Sequence, residues 1–172
     1  MGALGGIPLL LRAAQVIANK AHAEASAIVE QMDREGGQTV FVNRLRTVTV
    51  EIEVAAVGIF SLFESRMQQH IPQGSFFGQL KQRLNAAGRN NLAERLHSYY
   101  LAVNVLKHGQ GDSYNQLLNI PNLPFEVKRP GDSFFDEGDI SEPEGLVNVT
   151  SQGFFGGLID TLEEVRFFLE PA

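Results

Sequence analysis

The chain has no cysteine and no tryptophan. Without cysteine there is no disulfide, no thiolate metal ligand and no thiol nucleophile, a composition that fits a reducing cytoplasm. Positive charge is also in short supply: 14 Lys and Arg stand against 20 Asp and Glu, for a formal net charge of −6. That balance argues against broad, charge-driven attachment to nucleic acid or an anionic membrane, and no DNA partner is expected, although local basic patches are compatible with it. Long apolar runs are missing too. Glu51 and Glu53 interrupt the most hydrophobic stretch, so no segment offers the roughly 18 apolar residues that a spanning helix needs. The apolar start from Ile7 to Leu11 has no base before it and Arg12 directly after it, which is not the pattern of a signal peptide. The expectation is a single soluble, cytoplasmic domain of 172 residues, long enough to bury a substantial core without staples.

What is present is helical periodicity. Leu10, Ala14, Ile17, Ala21, Ala25, Ile28 and Met32 recur at three- and four-residue steps, predicting a helix over 7–34 that Gly36 and Gly37 close. Phe41, Leu45, Val48, Ile52, Ala55, Ile59 and Leu62 repeat like a heptad seam within a helix over 38–70. Val50, Val54 and Val57 give that helix a second apolar side, expected in an element central to a bundle or shared with a dimer partner. The β-forming run Thr47 to Val50 leaves a strand as the alternative there. Ile71-Pro72 ends the element. Ser75 is placed to cap a helix reaching Ala87, with Phe76, Phe77, Leu80 and Leu84 inward. A helix over 90–107 presents Leu92, Leu96, Tyr99, Val103 and Leu106, and Asp112 is placed to cap a short helix carrying Tyr114, Leu117 and Leu118.

Between 120 and 150 the prolines and glycines predict an irregular excursion, with Phe125 to Lys128 and Leu146 to Val149 as candidate strands of a short hairpin. A final helix over 151–169 carries Phe155, Leu158, Leu162, Val165 and Leu169 on one stripe. The predicted fold is therefore all-α: an up-and-down bundle of four main helices plus shorter ones, crossed by the 120–150 segment. Phenylalanines are doubled at 76–77, 134–135, 154–155 and 167–168. Adjacent helix positions point about 100° apart, so one ring of each pair can fill the core while the other reaches a neighbour, and a homodimer is expected.

The candidate site lies where the fourth helix ends, in Asn104, Lys107 and His108 before Gly109-Gln110-Gly111. At about 100° per residue, His97, Leu101, Asn104 and His108 share one side, opposite the Leu92, Leu96 and Val103 stripe. Imidazole exchanges a proton near neutral pH and an amide can orient a substrate oxygen, so the pair suits general acid–base work. The alternative is structural: His108 complements the helix dipole and Asn104 satisfies nearby backbone.

Other patterns point elsewhere less well. His22, His70, His97 and His108 show no zinc-binding spacing, and no metal or cofactor is expected. Asp132, Asp136, Glu137 and Asp139 miss the calcium-loop template and read as a solvated loop. Lys81, Arg83, Arg89 and Arg95 offer a basic strip that an RNA could use, or ordinary surface charge. Asn148-Val149-Thr150 matches a glycosylation sequon by chance in a cytoplasmic chain.

The apolar helix ending Phe60-Ser61-Leu62-Phe63-Glu64-Ser65-Arg66, followed by a helix ending Asn104-Val105-Leu106-Lys107-His108-Gly109, resembles the HEPN class of α-helical domains over residues 40–120. The resemblance implies a dimer and, in active members, a metal-independent ribonuclease with an arginine upstream of the histidine. The corresponding positions here hold Leu101, Ala102 and Val103, so the cation that would stabilise developing phosphate charge is missing. Two functions follow: a non-catalytic, dimeric module that binds a protein or RNA partner, or a divergent ribonuclease in which His108 moves a proton while Asn104 and Lys107 position the phosphate.

Overall fold

A computed structural model describes residues 6–68, 71, 74–130 and 145–170. Among these residues the chain is all-α, with six helices and no strand: α1 (Ile7–Glu35), α2 (Thr39–Gln68), α3 (Phe76–Ala86), α4 (Asn90–His108), α5 (Asp112–Leu118) and α6 (Gln152–Leu169). Expectations placed on His70, Pro72, Phe134, Phe135, Pro143 and the acidic residues Asp132, Asp136, Glu137 and Asp139 fall outside the described residues.

The ends of the helices follow local chemistry. Gly36, at φ 87°, lets the chain leave α1 while its N–H reaches Met32 O at 2.8 Å. Three residues later α2 begins, so α1 and α2 form a long antiparallel hairpin, tied across by Arg66 Nη1 donating to Gly6 O at 2.7 Å. Ser75 caps α3 as expected, its hydroxyl accepting from Gly78 N at 3.4 Å. Asp112 is not the cap of α5. Gly111 holds that position and Asp112 falls in the first turn, where its carboxylate still faces the positive end of the helix.

The predicted stripes of α1 and α2 enter or line the core except at Ile17 and Leu62. On α2 the buried line is Phe41, Val48, Ile52, Ala56, Ile59, Phe60, Phe63 and Met67, while Leu62 stands 48% exposed. A strict seven-residue seam drifts by about 20° per heptad on a straight helix, so by the third heptad the core has moved from Leu62 to its neighbours. On α1 the buried line runs through Ile7, Leu11, Ala14, Ala18, Ala21 and Ile28, and Ile17 is left at the surface.

The centre of the bundle is α4, which packs on α2, α3, α5 and α6. Leu92, Ala93, Leu96, Ser98, Tyr99, Leu101, Ala102, Val103 and Val105 are all buried, and only a narrow side through His97, Tyr100 and Asn104 is partly exposed over its middle turns. Residues 120–130 join this core through rings. Tyr99 of α4, Phe125 of the segment and Phe154 of α6 meet pairwise with centroids 5.2, 5.7 and 5.3 Å apart. The expected hairpin is reduced to one antiparallel bridge, Val127 to Val147, flanked by Lys128 N to Leu146 O and Asn148 N to Glu126 O. Of the doubled phenylalanines, 76–77 and 167–168 split between more and less buried rings, whereas Phe154 and Phe155 both enter the core. No helix among the described residues is long and apolar enough to cross a membrane.

Candidate functional site

The last turn of α4 is closed by Gly109, at φ 71°, whose N–H reaches Val105 O at 2.7 Å. Lys107 and His108 stand exposed on that turn and Asn104 is half-buried one turn back. Both side chains sit at the C-terminal end of the helix, where its dipole is negative. Among the described residues, no hydrogen bond or ion pair of the Asn104, Lys107 or His108 side chain is seen.

Within the shared side assigned to His97, Leu101, Asn104 and His108, Leu101 is only 2% exposed. His97, Tyr100 and Asn104 are partly buried and Glu94, Lys107 and His108 exposed along one side of α4, so the less buried side is where the helix wheel puts it, with Leu101 turned inward at its edge. His97 belongs to an aromatic stack: its ring lies 5.7 Å from Phe77, which stacks on Tyr100 at 4.0 Å, with Phe60 beyond at 6.3 Å from Tyr100. His97 Nδ1 is buried without a hydrogen-bond partner. Burial, with the nearby Lys81 ammonium adding to it, holds the imidazole below its ordinary value of 6.5. These three elements meet because α2, α3 and α4 cross there, and no spacing within one helix announces it.

The basic strip is only partly assembled. Arg95 is drawn to Glu164 of α6 at 2.7 Å and Lys81 lies beside His97, while Arg83 and Arg89 remain exposed near the turn between α3 and α4. Among the described residues no three His, Cys, Asp or Glu side chains gather as a metal site would require.

A concavity that the sequence did not announce, with a volume of about 590 Å³, lies between Tyr114 and Leu118 of α5 and Lys128, Arg129 and Leu146. Its wall is fixed by Tyr114 Oη donating to Lys128 O at 2.6 Å and by Arg129 Nη1 donating to Leu118 O at 3.4 Å. Next to it, Asn148 organises the entry to α6. Its Oδ1 accepts from Thr150 N, Thr150 Oγ1 and Ser151 N at 3.2, 2.8 and 3.2 Å, and its Nδ2 donates to Glu126 at 2.8 Å. The sequon asparagine is thus a turn-forming residue with both ends of its amide engaged.

An exposed apolar set of side chains lies on the hairpin. Leu9, Val16 and Ile17 of α1 and Val50, Val54 and Leu62 of α2 are between 48% and 71% exposed. No protein-family model, curated protein or solved structure matches the chain.

Proposed function

We propose that this chain is a non-catalytic, HEPN-like helical module that acts as a homodimer and binds a protein or RNA partner. The observation that carries this reading is the second apolar side of α2. Val50 and Val54 sit on the solvent side of the hairpin at 53% and 66% exposure, although α2 also packs on α1, α3, α4 and α6. Exposed apolar side chains on an element that already fills its share of the core support sharing with another chain. The lack of an arginine ahead of His108 supports the non-catalytic half of the proposal.

The second reading, a divergent metal-independent ribonuclease, draws on one feature: Lys107 and His108 are both accessible on the terminal turn of α4, with Asn104 one turn behind. It requires two copies of His108 to share a cleft. Incubating wild-type protein and His108→Ala with single-stranded and structured RNA in chelator separates the two. The module predicts no cleavage by either protein; cleavage by the wild type alone establishes the nuclease.

A further inference from the structure

The exposed apolar residues of α1 and α2 border one groove. Arg44 of α2 reaches Glu24 of α1 across it, at 3.8 Å. Ile17 lies about two turns from Glu24 along the same line of α1, and Leu62 about five turns from Arg44 along its line of α2. Both therefore flank the groove that the ion pair marks. Since residues 24 and 44 face each other, as do 6 and 66, Ile17 is level with about residue 53 and Lys20 with about residue 49, roughly half a turn from Glu51.

Charge on this part of the hairpin is segregated by helix. Over residues 7–23, α1 carries Arg12 and Lys20 and no acid; over 47–65, α2 carries Glu51, Glu53 and Glu64 and no Arg or Lys. Arg12, Lys20 and Glu51 are exposed and, among the described residues, in none of the ion pairs seen. At about 100° per residue Lys20 and Glu51 lie among the exposed apolar side chains of their helices, so the strip carries a basic group on its α1 side and an acidic group on its α2 side at nearly the same height.

Such a surface complements itself in only one orientation. A two-fold axis across the helices would lay α1 on α1 and α2 on α2, matching like charges. An axis along the hairpin lays basic α1 on acidic α2 of the second copy, in the height register the hairpin already has. It also makes every neighbouring helix pair antiparallel, the favourable dipole arrangement. The area suffices: helices of about 30 residues are about 45 Å long, and two side by side present about 900 Å², against about 800 Å² per partner in a standard interface.

Resting on the homodimer reading above, we propose that two copies pair through the outer face of α1 and α2 about a two-fold axis parallel to the hairpin. Each α1 packs on the partner's α2, with Ile17 and Leu62 nearest the axis and Lys20 of each copy opposite Glu51 of the other. This face is distinct from the α4 terminus, so His108 is not part of the interface.

The test uses the full chain, with sedimentation velocity over a concentration series. The wild type should dimerise. Lys20→Glu should weaken the dimer by about tenfold or more, because symmetry repeats each contact, and adding Glu51→Lys should restore most of the loss. Because the chain lacks cysteine, Leu62→Cys gives a single thiol that a short bismaleimide should link to its symmetry mate, whereas Arg83→Cys on α3 should stay unlinked. A dimer indifferent to Lys20→Glu, and unlinked through position 62, overturns this geometry while leaving the homodimer standing. A monomer at every concentration overturns both. Circular dichroism of each variant should match the wild type, since all the altered side chains are solvent-exposed.

Discussion

Gly157, in the middle of α6, is where the core is least tolerant of one added methyl group. A Cβ there would sit well inside contact distance of Tyr99 Oη and 3.4 Å from Cζ. The tyrosine cannot swing away, being fully buried and held by Phe125 and Phe154. Its hydroxyl has no hydrogen-bond partner, and burial raises its pKa to about 12. Overpacking of this kind costs about 1–3 kcal/mol, and the hard contact places Gly157→Ala near the top of that range. Replacing a mid-helix glycine by alanine returns about 1 kcal/mol through helix propensity. The net expectation is a loss of about 2 kcal/mol, or a melting temperature lower by about 4–8 °C for a chain of this size. Tyr99→Phe removes the clashing oxygen and an unsatisfied buried polar group together, so alone it should be neutral or stabilising. In that background Gly157→Ala should gain about 1 kcal/mol, and the double-mutant cycle should give a coupling near 3 kcal/mol. Equal losses from Gly157→Ala in both backgrounds, measured by thermal and urea denaturation, would refute the reasoning.

His97 supplies a pH dependence. Its folded-state pKa is lowered, by burial first and Lys81 second, so the unfolded chain binds the proton more readily. Its contribution to stability is complete above the ordinary value of 6.5 and is lost as pH falls below it. Melting temperatures taken between about pH 8 and pH 5 should fall on acidification, and His97→Phe should remove part of that slope; an unchanged slope contradicts the assignment. Asn148→Ala strips the turn before α6 of its side-chain acceptor and frees the Glu126 contact. A loss of about 1–2 kcal/mol is expected from removing such a cap, read as a melting temperature lower by about 2–8 °C.

Much of the helical framework was legible because it is written locally. Gly36, Ser75 and Gly109 each end or begin a helix where backbone freedom or a hydroxyl cap is required. Periodicity located five long or medium helices, and rough alternation found the two segments that pair at Val127 and Val147. The errors arise where local pattern gives way to surroundings. The exposed side of α4 is narrow, running through His97, Tyr100 and Asn104, so Leu101 at its edge is buried although the helix wheel groups it with polar residues. The drift between a seven-residue repeat and the helix turn moved the α2 core off Leu62. Neither the stack of His97 on Phe77 nor the stranded hydroxyl of Tyr99 has a sequence signal, because both depend on how different helices cross. For the candidate site, the sequence located the exposed α4 terminus but gave no sign of the concavity beside α5, whose wall joins residues from three separate stretches.

The central claim is that the hairpin face of α1 and α2 is made to be covered by a second chain of the same kind. Sedimentation equilibrium of the wild type beside Val54→Lys tests it most directly, because Val54 is 66% exposed and its replacement should leave the monomer fold intact. The account predicts a wild-type dimer and a folded Val54→Lys monomer with unchanged helix content. A wild type that remains monomeric, or a Val54→Lys chain that dimerises as tightly as the wild type, would contradict it.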